Sequence, residues 1–416
     1  MKFSHWRIFW TPLKKACCAE CFDAGGLAKD GVMTAQPTFA LVAGEASGDQ
    51  LGAALIGELK KIHPGARFTG IGGRGMRAAG MESWWDSEEL AVFGLFEVLA
   101  HFPRLLRIRR ELRRRLQELR PDVFIGIDAP DFNLGLEQQL KSAGIRTVHY
   151  VSPAIWAWRG WRVRKIARAA DLVLCLFPFE PSFYQGHGIS AAYVGHPMAD
   201  QIPLRTDASA ARRELGLDPD QRMVALLPGS RAGEVSRLSA PMIEAAALLS
   251  VAHPDLGFVA AIANPRAGAI FRSSLAAGPA VEILLIDGRP RTVMAAADVV
   301  ICASGTATLE TMLIKRPLVV AYRLAATTYQ LLRSLHLFKS RFFALPNILA
   351  GEALVPELVQ HQATGPRLAQ ETTRWLQDGP ARLELNARFE TLHRELLGNA
   401  SQRAASAIGQ LLQRAP

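Results

Sequence analysis

No run of apolar residues in this chain of 416 approaches the ~18 needed to span a bilayer, so the chain is not expected to cross a membrane. Cysteine is scarce as well. There are five: Cys17, Cys18 and Cys21 stand together near the start, while Cys175 and Cys302 lie inside apolar runs. Nothing in that distribution demands disulfides, which leaves the cytosol as the default compartment. The first three lack a fourth zinc ligand at workable spacing, and the last two read as small core residues. No His/Asp cluster has metal-ligand spacing, so neither a metal nor a cofactor is expected. The G-x-G-x-x-G fingerprint and the P-loop lysine are both missing, which weakens dinucleotide and ATP readings. Zinc-finger and RNP motifs are missing too, and nucleic acid is therefore not the expected partner.

What is present is an ordinary globular balance, 49% hydrophobic and 21% charged, in a chain long enough for two domains with full cores. A net charge of +10 implies attraction to something anionic. Its densest source is the stretch from Arg104 to Leu116, where Leu105, Ile108, Leu112, Leu116 and Leu119 recur at helical spacing and arginines fill the remaining faces. Such a helix packs on a sheet with its charges solvated; contact with anionic lipid headgroups is the sharper alternative. Residues 1–33 carry Lys2, Arg7 and the run Ile8-Phe9-Trp10, a faint signal-peptide pattern that Thr11-Pro12 and Lys14-Lys15 interrupt. They are expected to be a loose tail or an over-extended start preceding Met33.

From Thr38 the chain alternates short apolar runs with helical patterns. Strand candidates at 39–43, 68–71, 123–127, 146–151 and 172–176 form one series, and 223–227, 257–262, 282–286, 299–302 and 318–322 form a second. The connections are long enough for crossover helices, so both sheets should be parallel. Between the series, Gly195-His196-Pro197-Met198-Ala199-Asp200-Gln201-Ile202-Pro203 reads as a linker, with His196 either hydrogen-bonding in the cleft or, the commoner case, a hinge residue satisfied by backbone. The fold class is α/β: two doubly wound, Rossmann-like domains facing a central cleft, followed by C-terminal helices. The expected divisions are a tail at 1–33, domains at 34–200 and 201–363, and helices at 364–416.

Three loops follow strands. Gly44-Glu45-Ala46-Ser47-Gly48-Asp49 leads into an amphipathic helix, with Ser47 and Gln50 spaced as a capping box. Glu45 projects an acid that suits sugar hydroxyls better than phosphate; stabilising its own loop is the other reading. Pro228-Gly229-Ser230-Arg231 places a glycine turn and a guanidinium at a helix mouth, which makes an anion site. Ser304-Gly305-Thr306-Ala307-Thr308-Leu309-Glu310 opens another helix, with Thr306 and Glu310 on one face. A carboxylate there can accept ribose hydroxyls.

The octapeptide Gly126-Ile127-Asp128-Ala129-Pro130-Asp131-Phe132-Asn133 joins an apolar strand to a helical stretch. An acid at the C-terminal tip of a buried strand stands where open α/β sheets bind ligands, and the proline beyond it helps aim the side chain. Asp128 reads as a positioned general base, or else Asp128 or Asp131 caps the next helix.

These loops, together with Tyr150-Val151-Ser152-Pro153-Ala154-Ile155-Trp156-Ala157-Trp158 and Leu345-Pro346-Asn347-Ile348-Leu349-Ala350-Gly351, resemble the lipid-A-disaccharide synthase family over roughly residues 38–400. The tail before Met33 has no counterpart in the family pattern, and Ala46 stands where relatives often carry threonine. The resemblance implies the GT-B glycosyltransferase fold, with an acceptor-binding first domain and a UDP-sugar-binding second. It implies inverting transfer of 2,3-diacylglucosamine from its UDP derivative to 2,3-diacylglucosamine 1-phosphate, giving a β-1,6-linked disaccharide 1-phosphate and UDP for lipid A biosynthesis. Asp128 would be the base and Glu45 an essential acid. Gly229, Ser230, Arg231, Gly305, Thr306, Glu310 and Asn347 would line the UDP-sugar site. The implied setting is the cytoplasmic face of the inner membrane, held peripherally, with a homodimer left open. The competing readings are a peptidoglycan GlcNAc transferase or a 2-epimerase on the same fold, or a non-enzymatic basic protein binding membrane or RNA through residues 104–115.

Overall fold

The computed structural model describes residues 36–414 apart from 91–94, 154, 156–161 and 326–340. The expectations for residues 1–33 and for the tryptophans at 156 and 158 lie outside the described residues.

Thirteen described strands form two wholly parallel sheets. The first holds β1 (Thr38–Ala43), β2 (Arg67–Ile71), β3 (Glu82–Trp85), β4 (Val123–Ile127), β5 (Arg146–Tyr150), β6 (Leu172–Cys175) and β7 (Ala191–Tyr193), in the order β3-β2-β1-β4-β5-β6-β7. The second holds β8 (Met223–Leu227), β9 (Gly257–Ile262), β10 (Leu284–Asp287), β11 (Val299–Ala303), β12 (Leu318–Tyr322) and β13 (Glu357–Val359), in the order β10-β9-β8-β11-β12-β13. Each order steps outward from its first strand, then reverses to the other side at β4 or β11. Both sheets are therefore doubly wound.

The strands β4, β8 and β11, and β1 after Thr38, are apolar because helices cover both of their faces. Phe39, Leu41 and Ala43 meet Leu55, Ile56 and Leu59 of the helix Ala46–Ile62. The alternate residues Ala40 and Val42 meet Ile108, Leu112 and Leu116 of the helix Leu95–Leu119. The arginine-rich helix thus packs on the sheet through its apolar stripe and leaves Arg107, Arg110 and Arg114 exposed. Cys175 and Cys302 are buried in β6 and β11, as expected of small core residues.

The helix Ala232–Ala252 is long and apolar enough by composition to cross a membrane, although Glu234, Arg237 and Glu244 interrupt its apolar residues. Val235, Leu238, Met242, Ile243 and Leu249 instead cover a face of the second sheet, with Leu368 and Leu376 of the helix Gly365–Gln377 packed beside them. The opposite face of that sheet is closed by Leu385, Phe389, Leu392 and Leu396 of the helix Gly379–Leu396. The following helix, Ala400–Gln413, returns to the first sheet, where Ala404, Ala405 and Ile408 join the core beside Leu55 and Leu59.

Two crossings therefore connect the halves, one near residues 195–203 and one near 396–400, and they are clasped together. The N–H of His196 donates to the Leu396 carbonyl at 2.9 Å. The Asp200 carboxylate accepts from the N–H groups of Gly398, Asn399 and Ala400 at 2.7–3.1 Å. Gly195 has φ +91°, and a Cβ there would lie 3.1 Å from the Leu396 carbonyl oxygen, so the close approach needs glycine.

Candidate active site

Open parallel sheets bind ligands at the C-terminal ends of their strands, where the strand order reverses and successive helices leave on opposite faces. In the first sheet that point lies between β1 and β4, which pair as Ala43 with Ile127. The loop holding Glu45 follows β1, and the turn holding Asp128 follows β4. In the second sheet it lies between β8 and β11, followed by the Gly229-Ser230-Arg231 and Ser304-Gly305-Thr306 loops. Of the loops singled out from the sequence, the four after β1, β4, β8 and β11 fall at these two points; the Tyr150 segment follows β5 and the Asn347 loop lies elsewhere.

Asp128 and Ala129 both adopt left-handed backbone, φ +50° and +43°. Each costs about 1–2 kcal/mol for a residue with a Cβ, so the turn must be held by its surroundings. Two contacts hold it: the Asp128 N–H donates to the Tyr150 carbonyl at 2.8 Å, and Asn133 Nδ2 donates to the Asp128 carbonyl at 2.8 Å. Neither aspartate caps the helix Pro130–Ser142. Ala129 occupies the cap position with no side-chain bond, and Asp131 pairs with Arg162 at 2.5 Å. The half-buried Asp128 carboxylate has no hydrogen bond to a described residue, which leaves it open to a ligand.

The capping box expected from Ser47 and Gln50 does not form. Helix Ala46–Ile62 begins two residues earlier, with Glu45 rather than Ser47 at the cap, in extended conformation and making no cap bond. The end of β1 sets where the chain turns, and this overrides local capping preference. Glu45 is exposed beside the Asp128 turn. Asp49, one turn on, is buried instead and takes the N–H groups of Gly73, Gly75 and Met76 at 2.7–3.0 Å, anchoring the loop after β2.

At the second switch point Gly229, Ser230, Arg231, Gly305, Thr306 and Glu310 line one cavity of about 310 Å³, together with Pro290 and Met294. Gly229 has φ +109°, and a Cβ there would press on Glu234 at 2.8 Å. Arg231 sits at the N-cap of Ala232–Ala252 with its side chain 85% exposed and, among the described residues, is ion-paired only with Glu234 at 3.9 Å. Gly305 caps Thr306–Ile314, so two helix N-termini and one arginine converge on the cavity. Asn264 Nδ2 donates to the Ser230 carbonyl at 2.9 Å and fixes the first loop. Glu310 is paired with Arg291 at 2.9 Å, a partner with no sequence signal since the two are 19 positions apart.

Asn347 does not join this group. It is 1% exposed, donates to the Val355 carbonyl and to Glu357, and accepts from the N–H groups of Leu354 and Val355, all within 2.8–2.9 Å. Its amide is fully used in holding its own loop. His196 matches the hinge reading: it is buried, accepts from the Met198 N–H at 3.2 Å and packs on Phe177. Burial pushes its pKa down to about 4, with the Asp200 charge opposing. No grouping of three or more His, Cys, Asp or Glu able to hold a metal ion occurs among the described residues.

Residues 39–410 match the family model described as Lipid-A-disaccharide synthetase. The lipid-A-disaccharide synthase of Xanthomonas campestris pv. campestris (strain 8004) is 51% identical over 387 residues, covering 92% of this chain and 88% of its own. That of Xylella fastidiosa (strain M12) is 52% identical over 383 residues, covering 92% and 100%. Among solved structures, the S. aureus MnaA–UDP co-structure superposes with TM-score 0.62 at 12% identity, covering 92% of this chain and 99% of its own. The calicheamicin glycosyltransferase CalG4 gives 0.56 at 16%, covering 92% and 100%. At these identities the structural likeness is one of fold, the GT-B arrangement of two Rossmann-like halves.

Proposed function

The chain belongs to the lipid-A-disaccharide synthetase family, glycosyltransferases of lipid A biosynthesis, and from that premise we propose how its residues carry out the transfer. The donor is UDP-2,3-diacylglucosamine and the acceptor 2,3-diacylglucosamine 1-phosphate. Asp128 takes the proton of the acceptor's 6-hydroxyl as that oxygen bonds to the anomeric carbon of the donor sugar. The bond from that carbon to the diphosphate breaks, the configuration inverts, and UDP departs with the bonding pair. A base is needed because a neutral hydroxyl is a poor nucleophile. Positive charge is needed because the departing diphosphate gains negative charge, and Arg231 with the two helix N-termini provides it without a metal. Glu310, oriented by Arg291, suits the ribose hydroxyls, and Glu45 contacts the sugars from the facing loop.

The observation that carries this reading is the division of labour between the switch points: acids on the first sheet, an anion-binding cavity on the second. UDP release from paired diacylated donor and acceptor tests it. Release dependent on both substrates supports the transfer. Turnover of UDP-N-acetylglucosamine alone would point to epimerase chemistry.

Acyl chains lie in the bilayer while UDP stays in water, so the enzyme works at the interface. We place that contact on the exposed arginines of Leu95–Leu119, at the cytoplasmic face of the inner membrane.

A further inference from the structure

Beneath the Asp128 turn lies a buried polar cluster that the transfer as described does not use. Glu137 and His149 are both fully buried, with His149 Nδ1 2.7 Å from Glu137 Oε1. His149 is on β5 beside Gly126 of β4, its register partner. Gly126 makes the arrangement possible, since a Cβ there would lie 2.1 Å from Glu137 Oε1 and 2.9 Å from the Asn133 Cβ. Asn133 and Glu137 are one helical turn apart on the sheet-facing side of Pro130–Ser142. Both are seated in the notch that glycine leaves.

The cluster is an expensive way to pack a helix. Glu137 Oε2, His149 Nε2 and Asn133 Oδ1 are buried without a partner among the described residues. Burial pushes the Glu137 carboxyl above the usual range, while His149 opposes. Apolar side chains of similar volume would satisfy a purely structural demand better. What these polar groups supply is direction. Asn133 Nδ2 donates to the Asp128 carbonyl and reaches the Ile127 and Val42 carbonyls at 3.4–3.5 Å, at the tips of β4 and β1. The Glu137–His149 contact fixes the same helix to β5 one turn further along.

We propose that Asn133 and the Glu137–His149 pair are positioning residues: Asn133 holds the left-handed turn that aims Asp128, and the buried pair keeps Asn133 in register with the strand tips. The inference rests on Asp128 being the base. None of the three touches substrate; each acts through the placement of one carboxylate. A displacement of about 1 Å at a reacting group can cost on the order of a hundredfold in rate.

The test uses the full chain with Asp128→Asn, Asn133→Leu, Glu137→Ala, Glu137→Gln and the double variant Asp128→Asn/Asn133→Leu. Asn133→Leu keeps the buried volume, removes the clamp and decides the matter even if Glu137→Ala does not fold. We expect Asn133→Leu and Glu137→Ala to lose roughly tenfold or more in kcat with UDP affinity kept within about twofold. Glu137→Gln, whose amide oxygen still accepts from His149, should recover most of the loss. The double variant should be no slower than Asp128→Asn alone, because a residue acting only through Asp128 has nothing left to position. Wild-type kcat in Asn133→Leu, no recovery with Gln, or losses that multiply in the double variant would each overturn the proposal. Activity retained in Asp128→Asn would instead overturn the base assignment itself.

Discussion

Gly44 and Ala129 stand so close that a Cβ on Gly44 would lie 3.2 Å from the Cβ of Ala129. That contact brings the loop after β1 against the turn after β4, and with it Glu45 toward Asp128. Two acids 83 positions apart in sequence thus share one edge of one sheet.

Asp128→Asn should abolish most turnover and leave UDP binding nearly intact, because Asp128 stands on the first sheet and the anion cavity on the second. General-base assistance is worth roughly 10²–10⁴-fold. Single-turnover kinetics on the purified variant check this; more than about a tenth of wild-type kcat would refute the role.

Arg231→Ala should weaken UDP affinity as well as slow transfer, since its exposed guanidinium meets diphosphate in both substrate and product. A charge-assisted hydrogen bond contributes about 1.5–3 kcal/mol, roughly ten- to a hundredfold in affinity. Titration calorimetry with UDP measures it, and unchanged affinity would remove Arg231 from the site. EDTA should leave wild-type rates unaltered; loss of activity restored by Mg²⁺ would show that a cation shares the leaving-group charge.

Asn347→Ala should lower stability and spare the nucleotide. It deletes an amide that makes four hydrogen bonds to three neighbours and strands the N–H and carbonyl of Val355, a cost on the order of 3 kcal/mol. Denaturant melts and UDP titration on the same preparation separate the two effects. Normal stability with weakened UDP binding would return Asn347 to the cavity.

The outcome for Asn347 shows what sequence could and could not convey here. The nine inner strands were legible because cover on both faces favours apolar side chains, and the edge strand β10 was legible from the run Ile283-Leu284-Leu285-Ile286. β3, β7 and β13 were not, since all three are edge strands of three or four residues with partly exposed positions. A short strand with one neighbour and no apolar run carries no pattern to read. Glycine loops betrayed the two switch points because backbone geometry demands the residue type. Arg291 gave no such signal, because a surface arginine and one that orients Glu310 look alike in a sequence. The Ser47–Gln50 box misled for the opposite reason: a local signal was present, but the end of β1 decided the helix start.

Acid should destabilise the fold through His196. Its folded pKa of about 4 lies below the ordinary value near 6.5, so between those limits the unfolded chain binds the proton and the native state does not. His196 therefore costs nothing above about pH 6.5, and stability falls as pH drops toward 4, by about 3 kcal/mol when the difference is complete. His196→Asn keeps a cap acceptor for the Met198 N–H and should flatten this component of the stability-versus-pH curve. An unchanged slope between pH 6.5 and 4 would show that the loss arises elsewhere.

Replacing Arg107, Arg110 and Arg114 with glutamine should weaken binding to anionic vesicles and preserve folding, because Ile108, Leu112 and Leu116 keep the helix on its sheet. Each basic residue near an anionic surface is worth about 1 kcal/mol, screened by salt. Arg114 also pairs with Glu111 and Glu118, so its share should be the smallest of the three. Vesicle co-sedimentation equal to wild type at low salt would acquit this helix.

The return of Ala400–Gln413 to the first sheet sets the order in which the molecule can be finished. Leu55, Leu59 and their neighbours stay partly uncovered until Ala404, Ala405 and Ile408 arrive, and these are translated after the whole second sheet. The half synthesised first is thus the half completed last. A nascent chain bearing both sheets still exposes an apolar strip, and one late-emerging helix seals it.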